Sequence, residues 1–153
     1  MTAILPNPFA LKSNSNHRYL CCGADGVLRF TGQESTPIFA TENGQKPGDV
    51  HVKYNGNGKY FVRAPGQTAP PFKIVATADA PNETVTDENC TLFESENVGP
   101  TTPTQVVFRF RHVQSKLYVT PTYVQGLDAV LCAKDANPDV NGVADLLTAV
   151  GPR

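Results

Sequence analysis

The chain has 153 residues, with 13 Lys and Arg against 14 Asp and Glu, for a formal charge of −1 at pH 7. Near-neutrality excludes a basic nucleic-acid scaffold, and a 40% hydrophobic composition excludes a wholly disordered chain. The 12 Gly and 13 Pro interrupt the sequence too often for long helices, and no apolar run reaches the ~18 residues of a membrane span.

The first residues, Met1 to Pro8, offer neither a basic nor an apolar leader pattern, so a cytoplasmic or nucleocytoplasmic location is expected. Cys21, Cys22, Cys90 and Cys132 are then expected as reduced thiols, and with no C-x-x-C pair no metal site is expected. From Leu11 to Cys21 an apolar residue and a basic one (Lys12) lead into a polar turn, which ends at Arg18-Tyr19-Leu20. Asp25-Gly26 marks a hairpin into Val27-Leu28-Arg29-Phe30, and Ile38-Phe39-Ala40 closes the segment.

The pattern returns at Val50-His51-Val52-Lys53, which crosses Asn55-Gly56-Asn57-Gly58 to Lys59-Tyr60-Phe61-Val62. Lys73 to Ala80 and Thr91-Leu92-Phe93 complete this second copy. The third runs from Val106, alternating Val106, Phe108 and Phe110 with Val107, Arg109 and Arg111. It crosses a turn to Lys116-Leu117-Tyr118-Val119 and continues through Ala129 to Ala136 and Leu146-Leu147. Period-two alternation with one basic face describes strands half buried and half wet.

Three copies of four short strands, at a spacing of about 40 to 57 residues, predict an all-β fold, a β-trefoil of twelve strands in three four-stranded repeats. A β-sandwich offers the same alternation but no reason for the repeat. The repeats span approximately 8–48, 49–104 and 105–150 of a single domain. The expected core is Leu11, Leu20, Val52, Phe61, Phe110 and Tyr118, with Ile74, Val130, Phe39, Leu92 and Leu146, each worth about 1.5 to 3 kcal/mol when fully buried.

Chemistry-bearing motifs are sparse. The sequence has no G-x-S-x-G, P-loop or H-E-x-x-H, so no catalytic residue is assigned. His17, His51 and His112 read as surface or turn histidines, and the buried cysteines as small apolar filler. Function is then expected on the loops that a rigid barrel displays.

Leu11-Lys12-Ser13-Asn14, Val50-His51-Val52-Lys53, Lys59-Tyr60-Phe61-Val62-Arg63, Asn89-Cys90-Thr91-Leu92-Phe93 and Arg111-His112-Val113-Gln114 together resemble the agglutinin domain of amaranthin-type plant lectins. The resemblance implies a trefoil lectin without catalysis, cofactor or metal. Its partners would be glycans of the galactose and GalNAc type, Galβ1,3GalNAc among them, bound by a homodimer at a site shared between subunits. In the family's type member the loop between the second and third strands of the second repeat carries an asparagine and a tryptophan of that site. Here that loop is Arg63 to Lys73, in a chain with no Trp, so the carbohydrate-binding candidates are Gln67, Thr68, Phe72 and Lys73. Phe72 reads equally well as a sugar platform or as a strand residue entering the core. A loop-acting protease inhibitor, presenting Pro65 to Pro71, and a targeting module of a larger toxin-like chain are the alternatives.

Overall fold

The computed structural model describes residues 3–152, and within them the secondary structure is all β. The twelve strands are β1 (Ala10–Ser13), β2 (Tyr19–Cys22), β3 (Leu28–Gly32), β4 (Phe39–Asn43), β5 (Asp49–Tyr54) and β6 (Lys59–Arg63), followed by β7 (Phe72–Ala78), β8 (Leu92–Thr101), β9 (Gln105–His112), β10 (Leu117–Val124), β11 (Leu127–Asp135) and β12 (Leu147–Val150). Each falls on a segment of the repeat.

Six of them form a ring. β1 pairs with β12, β12 with β9, β9 with β8, β8 with β5 and β5 with β4. The circle closes where Phe9 and Phe39 exchange backbone hydrogen bonds of 2.8 and 3.0 Å. The other six form three hairpins, β2–β3, β6–β7 and β10–β11. Those hairpins meet one another where Val130 faces Arg29, Cys132 faces Lys73 and Val27 faces Val75. A closed barrel leaves few unpaired strand edges, and this ring has that character.

Phenylalanine fills the interior. Phe9, Phe30, Phe39, Phe61, Phe93, Phe108 and Phe110 are all fully buried. Phe39 and Phe61 meet edge to face at 5.5 Å, as do Phe108 and Phe110 at 4.9 Å, an arrangement that the ring quadrupoles favour. The expected core residues lie inside with two corrections. Tyr118 and Leu146 are only half buried, and their neighbours Val119 and Leu147 fill the core instead. At the first, a register shift separates Tyr118 from Val119, as it does Tyr19 from Leu20 and Tyr60 from Phe61. A bulge after each tyrosine turns the following residue inward, so Val119 is the counterpart of Leu20 and Phe61. At the second, Leu146 closes the preceding turn by donating its N–H to Val143 O, and β12 begins one residue later.

The turns from first to second strand repeat the geometry of the sequence pattern. His17, Gly58 and Lys116 each donate N–H to the carbonyl four residues back, and each has φ between 61° and 69°. Glycine accepts that conformation freely, whereas His17 and Lys116 hold it at a cost of about 1 kcal/mol. Asn16 and Asn57 brace the first two turns, each accepting from the N–H two residues on and donating to a carbonyl of the third strand, Phe30 O or Ala76 O.

Candidate functional site

The β6–β7 connection is held from below by its own side chains. Gln67 folds its amide between the two strand ends, donating to Ala64 O at 2.9 Å and Lys73 O at 3.2 Å while accepting from Lys73 N at 2.7 Å. One side chain thus replaces the ladder bonds that the loop interrupts. Arg63 anchors the other side. Its guanidinium lies 3.8 Å over the Phe72 ring, one nitrogen donates to Gln67 O, and another donates to Gln114 Oε1 in the third repeat at 3.3 Å.

Phe72 begins β7, is buried and joins the core, and the Arg63 guanidinium covers one face of its ring. Thr68 stands exposed at the loop's tip. Gln67 and Lys73 face a cleft of about 220 Å³ that they share with Pro71, Val124 and Gln125. Val124 and Gln125 come from the β10–β11 turn, whose central residues Gln125 and Gly126 have φ of 52° and 80°. Two successive positive values mark a type I′ turn, which matches the twist of its strands and fixes the cleft's far wall. These two residues were not among the sequence candidates. The Gln-Gly dipeptide signals a turn, but the β7–β11 pairing that carries it to Lys73 is tertiary.

The histidines correct their sequence reading. His17 is exposed in its turn, but His51 and His112 are buried. His51 Nδ1 lies 2.7 Å from Thr91 Oγ1 and Nε2 lies 2.8 Å from Glu83 Oε2. Hydroxyl, imidazole and carboxylate stand in a catalytic order, yet Thr91 is fully buried and its Oγ1 accepts from Asn82 N. The arrangement braces a loop. His112 Nδ1 meets Ser115 Oγ at 2.7 Å, while Nε2 is buried without a hydrogen-bond partner among the described residues. Burial, helped by the Arg63 charge, lowers this imidazole to about 4. Among the described residues no cluster of His, Cys, Asp and Glu is arranged to hold a metal. Cys90 and Cys132 are buried, and burial raises the Cys132 thiol to about 11, which fits the filler role.

The sequence profile of the Agglutinin domain family matches residues 3–150. The chain belongs to that family. Membership in the agglutinin family supports a lectin-type, carbohydrate-binding role. A search of curated proteins finds no match. Among solved structures the agglutinin chain is similar to a designed 3-fold symmetric protein, ThreeFoil, with a TM-score of 0.69 and 9% identity over 93% of this chain and 96% of that one. It is also similar to a salivary protein from Culex quiquefasciatus of the Cysteine and Tryptophan-Rich family, with a TM-score of 0.67 and 12% identity over 99% of each chain. At such identities the likeness is one of fold.

Proposed function

We propose that this agglutinin domain is a non-catalytic lectin whose glycan contact is the cleft between the β6–β7 loop and the β10–β11 turn. The carrying observation is the meeting of Lys73 with Gln125 and Val124 across two repeats, on backbone that Gln67 and a type I′ turn hold rigid. Lys73 and Gln125 supply donors and an acceptor for sugar hydroxyls, and Pro71 with Val124 supplies apolar surface for the C–H face. Thr68 stands on the rim. Gln67 and Phe72 position the loop rather than touch sugar.

The cleft is small beside the ~300–1,000 Å³ of most ligand pockets, so one ring fills it. A disaccharide such as Galβ1,3GalNAc then needs a second wall, which a homodimer provides. The ring and three hairpins fit a β-trefoil with repeats 8–48, 49–104 and 105–150. Unpaired thiols fit a plant protein of the cytoplasm.

A glycan array tests the reading. Galactose- or GalNAc-terminated glycans should bind, and Lys73→Ala with Gln125→Ala should weaken them about tenfold or more, the loss of two hydrogen bonds. Silence across the array at high protein concentration sinks the proposal, and light scattering decides the dimer. The exposed stretch Thr68-Ala69-Pro70 on a braced loop also suits protease inhibition, and a null against serine and cysteine proteases discards that second reading.

A further inference from the structure

β5 runs towards β6 from a turn at the other end of the β4–β5 hairpin, and there a separate cavity of about 360 Å³ opens. Ala3, Asp49 and Val50 line its interior, with Asn7, Asn43 and the highly exposed Ile4 at its mouth. Asp49 is only 5% exposed, yet among the described residues no N–H or O–H donates to its carboxylate. Its oxygens are not sealed from water, so the carboxylate meets solvent through the cavity and stands open to a ligand there. Burial holds the carboxyl above its usual range, Lys46 and Arg111 working against this and Glu94 and Glu83 with it.

The turn around Asp49 is fixed. Gly44 N donates to Asp49 O at 2.7 Å, Asp49 N to Lys46 O at 3.1 Å, and Gln45 N to Glu83 Oε1 at 3.2 Å. A Cβ on Gly44 would stand 3.1 Å from Asp49 O and 3.2 Å from Asp49 Cβ, so the glycine permits the close approach. The backbone that carries the carboxylate is therefore held in place, which lowers the ordering cost of binding there.

The lining selects the ligand. A carboxylate with both oxygens open accepts two O–H donors, which adjacent hydroxyls on a sugar ring supply. Asn7 uses its amide N–H on Thr41 O and keeps its own carbonyl free, and Asn43 adds both a donor and an acceptor. Ile4, Leu5 and Val50 give the apolar side that a ring's C–H face needs. An anion is repelled, and one carboxylate makes a poor cation cage.

We propose that Asp49, with Asn7 and Asn43, forms a second carbohydrate subsite that takes one neutral sugar ring through a pair of adjacent hydroxyls. This rests on the lectin reading but not on the β6–β7 cleft, and it gives a single chain two points of attachment, enough to cross-link glycans without a dimer.

The test is an amide NMR titration of the full chain with methyl glycosides of galactose, glucose, mannose and N-acetylgalactosamine, and with ethylammonium. At least one glycoside should shift the Gly44, Gly48, Asp49 and Val50 amides saturably, in the parent and in the Lys73→Ala, Gln125→Ala variant alike. Asp49→Asn, which keeps the size of the side chain but removes its charge and one acceptor, should weaken that sugar about tenfold or more. No response at these amides, an equal response to ethylammonium, or undiminished sugar binding in Asp49→Asn overturns the subsite. A positive array with a silent cavity rejects this site alone, and a responding cavity with an array indifferent to Lys73 and Gln125 rejects the cleft alone.

Discussion

His51 and Arg109 occupy the same place in successive repeats, one residue before Val52 and Phe110, and each reaches from the barrel to the long connection that leads into its own repeat's fourth strand. His51 holds the 79–91 connection through Glu83 and Thr91. Arg109 holds the 136–146 connection, donating to Asp145 Oδ1 at 2.8 Å and Asp139 O at 3.1 Å. The first repeat has Ala10 at this place and the shorter 33–38 connection. Polar chemistry at one strand position thus follows the length of the loop to be tied down. The two ties differ in their contact with water: Glu83 is 30% exposed, Asp145 2%. One is a wet brace and the other a dry ion pair.

Breaking the dry pair should do most harm. Asp145→Ala leaves the buried Arg109 charge with only the half-exposed Glu96 carboxylate, 3.9 Å away, opposite it, a loss of about 3 kcal/mol by urea denaturation. Arg109→Met combined with Asp145→Leu should restore most of it. A single-variant loss below about 1 kcal/mol would place the Arg109 tie with ordinary surface pairs.

Acid separates the braces further once His112 is accounted for. Its folded value of about 4 lies below the usual 6.5, so its contribution to stability is complete above pH 6.5 and is lost as pH falls towards 4, by roughly 3 kcal/mol. Chemical denaturation across that range should show the drop, and His112→Gln should flatten it. A drop that survives the substitution assigns it to other groups.

The wet brace should yield the smallest effect. His51→Ala is expected to cost about 1–3 kcal/mol, through the loss of its bonds to the Thr91 hydroxyl and the Glu83 carboxylate. The hydrogen bond from His51 holds the Glu83 carboxyl below its usual range. Its stabilisation is therefore present above the ordinary carboxylate range and disappears as pH falls through the lowered value. Glu83→Gln should shallow the acid limb of the stability curve. An unchanged limb would show that the brace is carried by Thr91 alone.

The sequence made the twelve strands legible because each repeat carried its own alternation and turn residues. It misplaced Tyr118 because a bulge shifts the inward set by one residue, and a bulge has no signature in alternation. It read His51 and His112 as surface groups because polar residues on a period-two strand usually face water, whereas here Thr91, Glu83 and Ser115 arrive to cover them. Of the candidate cleft, Gln67 and Lys73 lie on a loop that only the resemblance to amaranthin-type lectins singled out. Val124 and Gln125 were not legible, since strand pairing between repeats brings them there. Asp49 gave no sign either, because the cavity it lines forms only where the segment from Ala3 to Asn7 meets the β4–β5 turn.

The last barrel strand in chain order is also one of the shortest. β12 has four residues, and all four pair on both sides, Leu147 with Ser13 and Phe108, and Val150 with Ala10 and Gln105. On the ribosome, β1 and β9 both emerge before the strand that lies between them. Until Leu147 to Val150 are released, two backbone edges stand open to any neighbouring nascent chain, and the barrel becomes self-contained only with its final stitch.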